Sequence, residues 1–247
     1  MMLQTAQALV RWLMVAHVCR FMAQYGMAKE LIDSGRLGKP LFFNAWRLSA
    51  TPGWSAQNWM GNKAASGGTV MDLQIHEIDL ALWLLGPAKN AVLTQRQSEK
   101  LRGSGFCHAV STLQFESGAA AALEAGHLMP EGYEQNSGYR LVLEDGALEF
   151  GMTGQDAHMR LNENGKTSDL TYRYVAECAG SNPYLNEIRH FIACVETGED
   201  FLVKAVEARD AVRTVLELSD ITKNRSQRSY CSRTLLRKRR TGNTWET

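Results

Sequence analysis

Hydrophobic and polar positions follow two different rhythms along this chain, and they change over near residue 39. Before it, residues 3–11 read as a short helical piece and residues 12–18 (WLMVAHV) as a continuous apolar run. Such a run is expected of a strand buried on both faces. Residues 22–34 (MAQYGMAKELIDS) have the spacing of an amphipathic helix, stopped by Gly35. This is one strand–helix unit of a parallel sheet, and a single such unit is too small to be stable alone.

After residue 39 the period falls to two. Strands are predicted over 40–48, 90–98, 107–115, 119–128, 139–144, 147–150, 156–161 and 168–175. Glu116-Ser117-Gly118, Glu144-Asp145-Gly146 and Asn162-Glu163-Asn164-Gly165 join several of them as tight turns, which signals hairpins. Helices are predicted over 68–85, over 183–197 after Asn182-Pro183, and over about 203–222. Strand runs with helices set apart make an α+β fold: a large, mostly antiparallel open sheet with helices on one face. The other face then needs a cover, and a second copy of the chain is the economical one. Residues 225–247 show no apolar period and are expected to be unstructured.

Composition narrows the function classes. The 247 residues are 45% hydrophobic and 21% charged, so the chain can bury a real core. No stretch approaches the ~20 apolar residues of a membrane helix, and no basic leader opens the chain; a cytoplasmic protein is expected. Net charge is +1, but residues 225–247 hold seven Lys and Arg against one acid, leaving 20 basic and 25 acidic residues in the body. A mildly acidic body argues against nucleic acid as a partner. The five cysteines are odd in number and never form C-x-x-C, so neither a zinc knuckle nor a disulfide framework is expected.

The most informative stretch is the helix opened by Gly67-Gly68 and closed by Gly86-Pro87. Asp72, His76 and Asp79 stand at i, i+4 and i+7 on one face. A carboxylate one turn from a histidine can orient the ring and raise its pKa, making an acid–base pair. A surface ion pair, or Asp72 serving the free N–H groups of the first turn, fits the same spacing. A metal site is disfavoured, because no second His or Cys cluster is present. His17 and Arg20 stand at the end of the apolar run 12–18, where open α/β sheets bind ligands; from the residues alone an interior histidine and a surface arginine are the plainer reading. Trp54 and Trp59 suit a sugar-pocket wall or plain core packing. His108, His127 and Cys107 read as packing residues. No G-x-G-x-x-G, Walker loop or G-x-S-x-G occurs.

Three segments in order carry a family resemblance: Val15-Ala16-His17-Val18-Cys19-Arg20-Phe21 with Ala28–Pro40, the G-G-x-x-x-D-x-x-x-H-x-x-D helix, and Asn182-Pro183-Tyr184-Leu185-Asn186-Glu187-Ile188-Arg189-His190-Phe191 followed by Gly198. Over roughly 10–222 the chain resembles the Gfo/Idh/MocA oxidoreductases. The resemblance implies a Rossmann domain binding NAD or NADP and an α/β domain supplying the substrate site and oligomer interface. It implies Asp72 and His76 as the catalytic pair in oxidation of a sugar or cyclitol hydroxyl. His17 and Arg20 fall beside nicotinamide and substrate. Trp59 and Asp79 are expected on the substrate side, and no metal is expected. The family's glycine fingerprint and E-K-P motif would belong before residue 1, so residues 1–38 are expected to be the end of a Rossmann domain and 39–224 the substrate and oligomerisation domain. Both ends look altered, as in a truncated or frame-shifted reading frame, and a chain of this kind is expected to lack most of the cofactor site and to be inactive alone.

Overall fold

A computed structural model describes residues 2–9 and 12–219; the basic tail lies outside the described residues. A short helix, α1 (Met2–Ala8), leads through an irregular segment to a 3-10 turn (Val18–Phe21) and helix α2 (Ala23–Asp33). Eight strands follow: β1 (Pro40–Ala50), β2 (Ala88–Arg96), β3 (His108–Phe115), β4 (Ala120–Met129), β5 (Asn136–Leu143), β6 (Gly146–Thr153), β7 (Asp156–Glu163) and β8 (Lys166–Asp169). They form one sheet in the order β2-β3-β4-β1-β5-β6-β7-β8. Every pairing is antiparallel except β1 with β4, where Phe42 lies beside Ala120 and Arg47 beside Ala125.

The hairpins follow the turn chemistry of the sequence. Between β7 and β8, Asn164 and Gly165 both take left-handed backbone (φ 51° and 69°), the geometry of a two-residue loop that matches strand twist. Between β1 and α4 (Ile75–Leu85) stand a 3-10 turn (Ala56–Gly61), the one-turn helix α3 (Lys63–Ser66) and a π-helical turn (Val70–Gln74) that runs into α4. Helices α5 (Thr171–Cys178) and α6 (Pro183–Thr197) follow β8, and residues 205–219 are helical (α7).

One face of the sheet packs against α2, α4 and α5. Phe43 and Ala45 of β1 point into it, as do Tyr139 of β5 and Phe150 of β6. The rings of Tyr25, Phe43 and Phe150 surround Tyr139 at centroid distances of 5.6–5.8 Å, and Tyr174 adds an edge contact to Phe150 at 5.0 Å. Tyr139 Oη donates to the Gln24 carbonyl at 2.7 Å, so α2 shares this core. The opposite face exposes Phe42, Val92 and Val110.

Two predicted elements differ. Residues 12–18 are not a strand: Met14 makes one isolated bridge to Lys204, Trp12 is 54% exposed, and only His17 and Val18 are buried. A strand buried on both faces needs paired neighbours, and none of the described strands lies beside it. The expected strand over 168–175 ends at Asp169 and becomes α5. Aromatic and β-branched residues mimic a strand there, yet Leu170, Tyr174 and Cys178 are spaced by four and lean on the core together. Asp169 Oδ1 accepts from the Thr171 amide at 2.8 Å and starts the helix.

Candidate functional site

The helix carrying Asp72 and His76 is anchored at its start. Asn62 caps α3 by accepting from the Ala64 amide at 3.0 Å, and Gly67 and Gly68 both turn through positive φ (77° and 82°). A Cβ on Gly68 would sit 3.0 Å from the Gly105 carbonyl oxygen, so glycine is required there twice over. The buried Gln74 amide donates to the Leu123 carbonyl at 3.0 Å, pinning the π-helical turn to β4. π-Turns recur at functional sites, and this one holds Asp72.

Asp72 and His76 are not a hydrogen-bonded pair. Among the described residues no hydrogen bond or ion pair joins them, and His76 Nδ1 is buried without a partner. The expected rise in the His76 pKa is overturned: burial pushes it down to about 4, assisted by the charges of Arg47 and His17. Asp72 is half-buried, and the same desolvation raises its carboxyl above the ordinary range. At neutral pH the ring of His76 is therefore uncharged.

His17, Arg20 and Asp79 are brought together. Arg20 forks onto Asp79, Nη2 to Oδ1 at 2.7 Å and Nε to Oδ2 at 2.9 Å, and its Nη1 reaches Glu207 at 2.5 Å and the Leu202 carbonyl at 3.2 Å. The surface-arginine alternative is excluded, because Arg20 is buried by the carboxylates that neutralise it. All its charge is committed to protein groups, which leaves it no fork for a substrate. His17 Nδ1 stands 3.7 Å from Asp79 Oδ2 and its Nε2 is buried and unpartnered. Its pKa is lowered, burial outweighing the Asp79 charge.

A second buried pair escaped the sequence reading. Arg47 of β1 donates from Nε to Glu77 Oε1 at 2.8 Å, and its Nη2 reaches Tyr25 Oη at 3.3 Å and Cys19 Sγ at 3.5 Å. The signal was present: Phe43, Ala45 and Arg47 share the inward phase of β1, so a charge there needs a buried partner. Burial pushes the Cys19 thiol up to about 12, which makes it inert.

Trp54 and Trp59 do not pack in the core; they are 79% and 45% exposed, in and before the 3-10 turn. His127 is buried, with Thr69 Oγ1 at 3.2 Å from Nδ1 and Phe106 edge-on, as a packing residue should be. His108 instead sits at the open face, its Nε2 2.7 Å from Glu124. Cys107 is buried, and its amide donates to Thr69 Oγ1 at 2.9 Å. Among the described residues no cluster of His, Cys, Asp or Glu is placed to hold a metal ion, and no helix is long and apolar enough to cross a membrane.

The centre of the arrangement is thus two uncharged imidazoles, each with an unpartnered buried nitrogen, on a floor of two internally neutralised ion pairs. An uncharged imidazole can accept a hydrogen bond, and then a proton, from a neutral hydroxyl through a ring nitrogen that the substrate can reach.

Comparison with known proteins agrees with this architecture. Scyllo-inositol 2-dehydrogenase (NAD(+)) of Bacillus subtilis (strain 168) is 25% identical over 203 residues, 78% of this chain and 55% of that protein. Inositol 2-dehydrogenase of Streptomyces avermitilis is 25% identical over 189 residues, 75% of this chain and 50% of that protein. The chain spans about half the length of these curated relatives. Among solved structures, aldose-aldose oxidoreductase from Caulobacter crescentus complexed with glycerol superimposes with a TM-score of 0.72 at 20% identity, covering 90% of this chain and 65% of that one. The sequence model described as "Oxidoreductase family, C-terminal alpha/beta domain" (Gfo/Idh/MocA) matches residues 29–219, from within α2 to the last described residue of α7. On that match over most of its length, this chain belongs to the Gfo/Idh/MocA oxidoreductase family and carries the family's C-terminal alpha/beta domain.

Proposed function

We propose that this chain supplies the substrate side of an NAD(P)-dependent oxidation of a sugar or cyclitol hydroxyl. His76 takes the hydroxyl proton and the half-buried Asp72 lies beside it. The observation that carries this reading is that the half-buried His76 ring, one turn from Asp72, is uncharged and held by no hydrogen bond to it. A ring already protonated could not accept the proton; a ring already hydrogen-bonded would have to break that bond first. Arg20 and Asp79 act as positioning residues that hold the His17 turn against α4, and Trp59 offers an exposed face for a sugar ring.

The residues of this sequence do not fit a whole dinucleotide. The pyrophosphate needs a glycine-rich turn at a helix N-terminus, and no such fingerprint occurs in residues 1–247. The proposal for this chain therefore stops at the substrate: residues 39–224 form the substrate and oligomerisation domain of a cytoplasmic protein, residues 1–38 belong with a Rossmann domain, and the chain does not turn over alone. The exposed apolar sheet face favours a second reading, a non-catalytic sugar-binding domain that associates through that face.

The test begins with calorimetric and fluorescence titration of the purified chain with NADH and NADPH, then with myo-inositol and a sugar panel. No nicotinamide binding up to about 1 mM is expected, with weak polyol binding lost in His76→Ala. Micromolar cofactor binding with turnover would overturn the inactivity. Polyol binding untouched by His76→Ala and Asp72→Asn would move the reading to the non-catalytic one.

A further inference from the structure

The sheet face turned away from α2, α4 and α5 has no part in the chemistry above. Its outward residues fall in rows, and the middle row runs Val110, Glu124, Trp46, Gly138, Gly151, His158 across six strands. Three rings on this face lie over glycines of neighbouring strands: Trp46 over Gly138, His108 over Gly126 and His158 over Gly151. Each is so close that a Cβ on the glycine would collide with the ring, so the face stays low at all three places.

The size and make-up of the face suit another sheet. The strands β3, β4, β1, β5, β6 and β7 are eight to eleven residues long and hold no lysine; Lys89 and Lys166 sit on the two edge strands. Six strands about 4.8 Å apart and about 27 Å long offer about 800 Å² of face. That equals one partner's share of a standard stable interface, about 800 Å². A second copy of the chain brings the same flat patch, which a two-fold axis makes self-complementary.

Charge on this face is balanced by arginine at one carboxylate and by histidine at the other. Glu149 of β6 accepts from Arg140 Nε at 2.9 Å, with Arg160 opposite it on β7 and His158 Nε2 at 3.9 Å. An arginine holds its charge at every ordinary pH. Glu124 lies in the middle of the face between Val110 and Trp46, and among the described residues its one charged partner is His108. His108 Nε2 stands 2.7 Å from Glu124 Oε1, with the two side chains 28% and 40% exposed. Arg96 stands across from His108 on the edge strand and donates to the Gln95 carbonyl, with no ion pair to Glu124 among the described residues.

We propose that two copies pack open face to open face and that His108 and Glu124 make this association proton-linked, so that it tightens as the solution turns from mildly alkaline to mildly acidic. The proposal rests on the self-association proposed above for this domain. Covering the face takes Glu124 out of water, and a carboxylate is costly to bury unless a cation goes with it. A neutral His108 can donate one hydrogen bond to Glu124 without balancing its charge; a protonated His108 does both. Histidine is the side chain that gains charge on this side of neutrality, so each copy takes up a proton as the faces meet.

Sedimentation equilibrium of the full chain at about pH 8 and pH 6 tests it. The wild-type dissociation constant should be at least about tenfold smaller at the lower pH. Glu124→Gln removes the stranded charge, so its dimer should be as tight at the higher pH as the wild type's at the lower, with the pH dependence lost. His108→Gln leaves Glu124 without a cation and should associate as weakly at the lower pH as the wild type does at the higher. Both side chains are part-exposed, and unchanged far-UV circular dichroism checks that the variants fold. A wild-type dimer with one constant at both pH values, or a pH dependence kept by both variants, would overturn the proton linkage while leaving self-association standing. A wild-type monomer at both pH values up to about 100 μM would overturn self-association, and the linkage with it.

Discussion

Arg20 and Asp79, 59 residues apart in sequence, form a two-point ion pair whose side chains are each 1% exposed. It fastens the segment before α2 to the middle of α4, and Glu207 extends the clasp to α7. Removing one partner strands a buried charge, so Arg20→Met or Asp79→Leu should each cost about 3–5 kcal/mol. The double variant should recover a large part of that loss, because no buried charge is left unpaired and Glu207, 40% exposed, can be solvated instead. Urea unfolding of the three variants measures the coupling; additive losses would mean that the two residues act independently.

His76 and His127 both have pKa values of about 4, against an ordinary 6.5, because burial disfavours the charged ring. In the unfolded chain both rings charge below about pH 6.5, and in the folded chain only near pH 4. The depressed values mean that acid favours unfolding: stability is full above pH 6.5 and falls as pH drops towards 4. Each ring contributes at most about 3 kcal/mol over that interval. His127→Gln, which keeps a partner for Thr69, should flatten the decline between pH 6.5 and 4.5 in denaturant titrations. An unchanged slope would show that His127 titrates normally.

How much of this was written in the sequence depended on range. Seven of the eight strands followed from alternation and turn residues, and Asn164-Gly165 has the backbone its residue types demand. Those signals act over two to four residues. Residues 168–175 were misread because Tyr172, Tyr174 and Val175 favour strands, while the deciding fact is which face of α5 meets Phe150. Asp72, His76 and Asp79 were visible as one helix face. What could not be seen was that Asp79 is consumed by Arg20 and that Asp72 leaves His76 unbonded. Arg20 read as a substrate-side or a surface arginine rather than a buried clasp, because its second neutralising partner, Glu207, lies 187 positions away. Arg47 was the readable exception, one charge in the inward phase of β1.

Gly68 combines φ of +82° with a carbonyl oxygen 3.0 Å from where a Cβ would stand. Gly68→Ala should therefore destabilise by about 2 kcal/mol, from left-handed strain plus displacement of the 104–107 turn. Gly103 is the control: it also has positive φ (+84°), but nothing lies within 4 Å of a Cβ there. Gly103→Ala should cost about 1 kcal/mol. Equal losses in thermal unfolding would assign the whole effect to backbone strain and none to crowding.

The open face of the sheet yields the final prediction. Val110 pairs with Glu124 and Glu124 with Trp46, so these side chains form one row across β3, β4 and β1, with Phe42 further along β1 on the same side. Phe42, Val92 and Val110 are exposed apolar residues on a face that alternation would otherwise make polar. If the proposed self-association covers this face, the chain sediments as an oligomer at about 10 μM, and Phe42→Lys with Val110→Lys shifts it to monomer mass. Both positions point away from the core, so the fold should survive, with far-UV circular dichroism unchanged. A wild-type chain that sediments as a monomer at that concentration would rule out the interface, and a variant that stays oligomeric would move it to another surface.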